Sequence, residues 1–364
     1  MKIYAYYLPQ FHCIPENDEW WGKGFTEWTN VRKAKPLFKN HKQPVHPYND
    51  YYYRLDDPNT LRWQAKLASD YKVDGMIFYH YYFAGKKLLE KPAELLLQNK
   101  DIPMNFFFCW ANHSWYRTWE GSKTLLMEQV YGSEDDWEQH FQYLLPFFLD
   151  NRYEKRNNKP LLLLFKCDFP EKKAMFEYFN RRCLENGFSG ICVIESFNYS
   201  KDNKFKSFEF KMAEFRKQLC TQSEFVQIRQ PDSALDLYRN LPSNYFSRLL
   251  NILGKQSRKL KIKYVEKYDG EKLFETMIKK HYYDDDIING LFMRWDNTSR
   301  HGLRGYLITP PQKSTFMNYL ECVKDEEYLF VNAWNEWCEG MMLEPTVEEG
   351  FKYLEWIKEF KTKN

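Results

Sequence analysis

The stretch Tyr328-Leu329-Phe330-Val331-Asn332-Ala333-Trp334-Asn335-Glu336-Trp337-Cys338-Glu339-Gly340 begins as an apolar run and ends in amides, tryptophans and carboxylates. A short apolar run without polar alternation reads as a strand buried on both faces, the signature of a parallel sheet. Polar groups crowded at its C-terminal end are what a parallel barrel gathers at its functional mouth. The pattern recurs along the chain. Residues 3–8 run into Pro9-Gln10-Phe11-His12, 75–80 into His80-Tyr81-Tyr82, and 103–109 into Trp110-Ala111-Asn112-His113-Ser114-Trp115. A strand expected at 291–295 ends in Arg294-Trp295-Asp296-Asn297. Further strands are expected at 161–166 and 190–195, with amphipathic helices at 58–71, 86–98, 134–149, 171–186, 271–281, 312–324 and 348–361. Strands separated by helices are βα units. An eighth strand is expected within 205–230. The fold class is therefore α/β: a single (β/α)8 barrel with long βα loops, read as one domain over 1–364.

Lysine plus arginine (53) nearly balances aspartate plus glutamate (50), which argues against a nucleic-acid partner. Aromatic residues make up 19% of the chain. Rings with a polar edge suit sugars, whose C–H faces stack while the hydroxyls bond around the rim; an aromatic-rich core is the plainer reading. Eight scattered cysteines without a C-x-x-C pair fit reduced thiols. The N-terminus opens directly into a strand, and no run is long enough for a membrane span, so the expected location is cytoplasmic.

Glu336 and Glu339, three residues apart among tryptophans, are the candidate catalytic pair. Glycoside cleavage needs one carboxyl to protonate the departing oxygen and another to activate the attacking group. Close negative charge and aromatic walls should raise one pKa. Glu27 and Trp28, in a loop following the first strand, are candidates for hydroxyl contact and stacking. Gln10, His80, Tyr81, Trp110, Asn112, His113, Trp295, Asp296, Trp334 and Asn335 complete the expected substrate-binding set. No histidine or cysteine spacing suggests a metal, and no cofactor is expected. Asp284-Asp285-Asp286 holds a D-x-D, which reads first as a solvated turn. The run 245–267 mixes apolar and basic residues; it reads first as a barrel helix with a basic outer face, and second as a segment lying on an anionic membrane face; a peripheral contact with a membrane-linked glycan is a further expected partner.

Tyr7-Leu8-Pro9-Gln10-Phe11-His12, the stretch from Glu16 through Trp20-Trp21-Gly22 and Gly24-Phe25-Thr26-Glu27-Trp28 to Val31, Cys109-Trp110-Ala111-Asn112, Trp295-Asp296-Asn297-Thr298 and Asn332-Ala333-Trp334-Asn335-Glu336-Trp337 together resemble the WbsX-type proteins. That family is related to glycoside hydrolase family 99, and the resemblance spans nearly the whole chain. It implies a barrel and a retaining mechanism without a covalent enzyme intermediate. In that mechanism a Glu deprotonates the sugar 2-hydroxyl, which attacks the anomeric carbon, and a second Glu serves as acid and then base. Position assigns the first role to Glu336 and the second to Glu339. Cys338 stands where the hydrolases commonly carry His, and His113-Ser114 where Glu-Asn is expected. The leading expectation is a glycoside hydrolase or transglycosylase acting on an oligosaccharide or polysaccharide. The alternatives are a glycosyltransferase of lipopolysaccharide O-antigen or capsule biosynthesis and a non-catalytic carbohydrate binder.

Overall fold

The computed structural model describes residues 1–117, 124–197, 208–240, 249, 252–254, 256, 264–280 and 284–364. Its main sheet follows the chain: β1 Lys2–Tyr7, β2 Gly75–Phe83, β3 Phe106–Trp110, β4 Lys159–Leu164, β5 Cys192–Phe197, β6 Ser223–Ile228, β7 in two pieces, Ile287–Ile288 and Gly290–Phe292, and β8 Tyr328–Asn332. Neighbours pair in parallel, and β1 pairs with both β2 and β8. The first piece of β7 pairs with β6 and the second with β8, so this strand closes the circuit. The eighth strand expected within 205–230 is β6.

β7 lies upstream of its expected position at 291–295. Asn289-Gly290 reads in sequence as a turn, yet here it interrupts a strand. Both oxygens of the Glu326 carboxylate accept from Asn289, from its backbone N at 3.1 Å and its Nδ2 at 2.7 Å, and so satisfy the break. Trp295–Asp296 belongs instead to a short antiparallel pairing with Tyr306–Ile308, outside the barrel circuit. Most of the run at 245–267 lies outside the described residues, as does Tyr283.

Helices alternate with the strands, beginning with Pro58–Asp70, Lys91–Gln98, Glu134–Phe148 and Lys172–Glu185. Asp57 caps the first, accepting from Asn59 N at 2.9 Å. Ser133 opens the third, with the Asp136 carboxylate accepting from its backbone N at 2.9 Å. The expected helix 86–98 is shorter because Lys86–Leu88 folds back as a strand on the end of β2.

Much of the aromatic content fills the barrel. Tyr4 and Tyr328 donate to the buried Glu154 carboxylate at 2.5 and 2.9 Å, forming its floor. Above them Tyr6 stacks on Tyr79 with ring centroids 5.5 Å apart, and its hydroxyl donates to Gln227 at 3.0 Å. Each such ring contributes on the order of 1.5–3 kcal/mol by leaving water, and its hydroxyl is satisfied, as burial requires.

Strand alternation sorts side chains between this interior and the helical layer. Tyr4 and Tyr6 of β1 face inward, while Tyr7 donates to Gln64 of the helix outside, at 2.6 Å. On β2, Tyr79 faces inward and Phe78 packs on Tyr7 in the outer layer.

Gly75 begins β2 where a Cβ would collide with the Tyr4 ring and meet the Asn105 carbonyl oxygen at 2.6 Å. Gly75→Ala is expected to lower unfolding free energy by about 1–3 kcal/mol through overpacking. Urea denaturation checks this: an unchanged midpoint would mean that the floor yields freely.

Candidate functional site

The segment after β8 turns sharply. Asn335 Oδ1 accepts from Leu8 N at 2.7 Å and its Nδ2 donates to Leu8 O at 3.0 Å, clamping the end of β8 to the end of β1. Asn335–Glu336 then pairs with Met341–Met342, with a 3-10 turn at Trp337–Glu339 between them. Gly340 closes the turn at φ 61°, with the Asp296 backbone so close that a Cβ would stand 3.0 Å from its N. Glu336 and Glu339 are thus held by a hairpin rather than at a helix start, Glu336 buried and Glu339 half-buried.

Their common partner is Arg300, from the short helix Thr298–His301. Its Nη1 donates to Glu339 Oε1 at 3.0 Å, and its Nη2 lies 2.9 Å from Glu27 Oε1 and 3.8 Å from Glu336 Oε2. Glu27 is buried at the start of Glu27–Lys33, a helix where a loop was expected, opened by Thr26 with Thr29 Oγ1 accepting from its backbone N at 3.3 Å. Burial, with the negative charge of Glu339 beside it, pushes the Glu336 carboxyl well above the ordinary range, and Arg300 opposes that rise. Burial likewise raises Glu339, against Arg300 and Arg229. Both shifts favour the protonated form of these carboxyls over that of an exposed glutamate.

A cavity of about 400 Å³ opens here, lined among others by Gln10, Glu27, Tyr81, His113 and Glu336 of the expected set. Trp21, Tyr79, Trp115, Phe165, Arg229 and Arg300 also line it, and none of these was singled out from sequence. Tyr79 and Tyr81 share the inward parity of β2, and that signal was available. Burial pushes His113 down to about 4, helped by Arg229 and Lys166, leaving it a neutral hydrogen-bonding group.

The other expected residues lie outside the cavity lining, Glu339 among them, which is held behind Arg300. His80 and Trp110 sit on the outward parity of β2 and β3. The two imidazoles of His80 and His140 meet through Nε2 atoms at 2.9 Å, and burial lowers His80 to about 3. Trp110 Nε1 donates to Tyr82 O at 3.2 Å, with the ring packed against His140. The expectation that these two side chains meet Glu336 at the mouth is corrected: strand alternation turns them toward the helices. Trp28 packs against Phe11 and Trp337 and donates to Tyr53 O at 2.8 Å, bracing the hairpin from behind. Asn112 bridges to the Lys166 backbone, and Trp334 is fully buried. Trp295 stacks on Tyr306 at 5.4 Å. Asp296 holds the start of the helix that carries Arg300: its Oδ1 accepts from Thr298 N at 3.0 Å and Oγ1 at 2.6 Å, and its Oδ2 from Gln43 at 2.9 Å. Burial opposes its charge, but these bonds and one from His41 hold the carboxyl below the ordinary range. Asp284 and Asp286 both pair with Arg216, just before β7 and so at the opposite end of the barrel.

A family described as "Glycosyltransferase WbsX" matches residues 3–357. An uncharacterized protein, WxcX, of Xanthomonas campestris pv. campestris strain B100 is 30% identical over 377 residues, covering 99% of this chain and 50% of its own. The chain thus spans about half the length of the curated relatives it matches. Among solved structures, the GH99 endo-alpha-mannosidase from Bacteroides thetaiotaomicron aligns over 99% of this chain and 97% of its own, with TM-score 0.55 and 12% identity. A "Glycoside hydrolase-like protein" aligns over 99% and 93%, with TM-score 0.58 and 10% identity. At such identities the likeness is one of fold.

Removing Arg300 leaves three carboxyls facing one another. Arg300→Met is expected to cost about 3–5 kcal/mol at alkaline pH. Carboxyls whose folded pKa is raised favour folding below their unfolded values, and that contribution fades as pH rises through the folded values. The deficit should therefore shrink on acidification, while Arg300→Lys keeps most of the stability. Denaturant titrations across pH check this, and a deficit independent of pH would contradict the electrostatic account.

Proposed function

The chain belongs to the WbsX glycosyltransferase family, and from that membership and the geometry we propose a carbohydrate-active enzyme that breaks a glycosidic bond with retention through Glu336 and Glu339. One observation carries the reading: two carboxyls of a single hairpin, gripped by one arginine, with Glu336 in the lining of a cavity walled by Trp21 and Trp115. Aromatic walls with polar groups at one end suit a saccharide.

In the proposed mechanism Glu336 takes the proton of the 2-hydroxyl as O2 attacks the anomeric carbon. Glu339 gives its proton to the departing oxygen, so the bond breaks as a 1,2-anhydro sugar forms. Glu339, now ionised, removes a proton from water or an acceptor hydroxyl, which opens the anhydro ring, and Glu336 returns its proton to O2. Two inversions give net retention. Arg300 limits the rise of both pKa values, so that the pair can both hold and release a proton near neutral pH. The acceptor decides between hydrolysis and transfer. The family's description favours a second reading, transfer from an activated sugar, which incubation with nucleotide sugars tests directly.

Glu339→Gln should slow substrates with poor leaving groups by roughly 10²- to 10⁴-fold and spare the bond-breaking step of an activated aryl glycoside. Glu336→Gln should slow both kinds alike. Steady-state kinetics on matched natural and aryl substrates separate the roles: the reverse pattern would exchange them, and equal losses independent of leaving group in both variants would overturn the mechanism.

A further inference from the structure

Among the described residues two arginines line the cavity, and they are used differently. Arg300 is committed to Glu27, Glu336 and Glu339. Arg229, immediately after β6, lies with its guanidinium carbon 4.1 Å from the Phe165 ring centroid, an arrangement that holds it against one wall. Among the described residues its ion-pair partner is Asp232, at 3.9 Å from Nε, too long for a hydrogen bond, and that carboxylate is half exposed to solvent. Among the described residues no acceptor takes a hydrogen bond from Arg229, and its Nε is buried without a partner. The protein takes up none of the guanidinium donors, and only Nε is buried, so the Nη donors stay available to a ligand in the cavity.

We propose that Arg229 binds an oxyanion substituent, a carboxylate or a phosphate, on the saccharide that enters this cavity. The proposal rests on the reading of the cavity as a saccharide site and names the class of saccharide. A guanidinium presents paired N–H donors in a rigid fork that matches the two oxygens of a carboxylate or phosphate. Stacking on Phe165 leaves the edge of that fork available while covering a face. His113, tilted against the same Phe165 ring with centroids 5.0 Å apart, is uncharged near neutral pH and adds a hydrogen-bonding group without competing charge. A neutral sugar would leave Arg229 with the long Asp232 contact and the Glu339 charge alone, whereas an anionic one adds a directly hydrogen-bonded counter-charge. The plainer role for Arg229 is electrostatic support of Glu339, which would favour no class of ligand.

Isothermal titration of the full chain distinguishes the two. The probes are glucose and glucuronate, galactose and galacturonate, mannose and mannuronate, the corresponding sugar 1-phosphates, and inorganic phosphate. At least one oxyanion probe should bind about 10-fold or more tightly than its neutral counterpart, and Arg229→Gln should abolish that preference. Arg229→Lys, which keeps the charge and loses the fork, should restore only part of it. A preference confined to uronates places the charge on the ring, and one confined to phosphates places it at the leaving group; either supports the proposal. No preference in any pair, or one that survives Arg229→Gln, would overturn it. Loss of Glu336- and Glu339-dependent cleavage is a separate result that bears on the enzymatic reading alone.

Discussion

One guanidinium reaching three glutamates is the constraint on which the rest of this site depends. Glu27, Glu336 and Glu339 come from two segments nearly the whole chain apart, and Arg300 comes from a third. Without a cation the three carboxyls could not share a buried site in ionised form, since each charge would lose its water and gain a repelling neighbour. With the cation, the cluster holds charge and proton in balance. That balance is what general acid–base chemistry at neutral pH requires of carboxyl groups.

The surrounding structure fixes that cluster. Behind the hairpin, buried Glu344 accepts from Trp337 Nε1 at 2.7 Å, Tyr53 OH at 2.8 Å and Gln64 Nε2 at 2.7 Å. Burial raises this carboxyl to about 7, with the donors opposing the rise. Asn335 ties the hairpin to β1, Asp296 caps the helix that carries Arg300, and Ser299 Oγ donates to Cys338 O at 2.6 Å between the two. Cys338 also sends its thiol toward Glu27 O at 3.3 Å, so a small residue here lets the Glu27 helix approach the turn. Asp296 and Asn335, expected from sequence to bind substrate, are instead bonded to the Thr298 helix and to the end of β1.

The barrel was legible because its strands are short apolar runs ending in polar clusters, a pattern set by burial on both faces. β7 was misplaced because Asn289-Gly290 has the chemistry of a turn, and the Glu326 carboxylate that accommodates it lies far along the chain. At the site, Glu336 and Glu339 stood out through their spacing and neighbours. His80 and Trp110 were selected by type and place, but parity decides which way a strand residue points. Tyr79 and Tyr81 carry the correct parity on the same strand. Arg229 and Arg300 could not be found from local pattern, because an arginine's role depends on which carboxylates the fold brings to it. Trp28 and Trp334 show the same limit for aromatic residues: rings suited to a sugar are equally suited to bracing a hairpin.

The central claim is that the buried Glu336–Glu339 pair keeps a proton where exposed glutamates have lost theirs. Difference infrared spectroscopy of the protonated carboxyl stretch, followed from about pH 5 to pH 9, tests this without any substrate, because unperturbed glutamates are ionised over that range. The account predicts a protonated carboxyl band in the wild type that persists near neutral pH, titrates away at higher pH, and is diminished in both Glu336→Gln and Glu339→Gln, because the pair shares one proton. A wild-type spectrum indistinguishable from those of both variants throughout the range would contradict it.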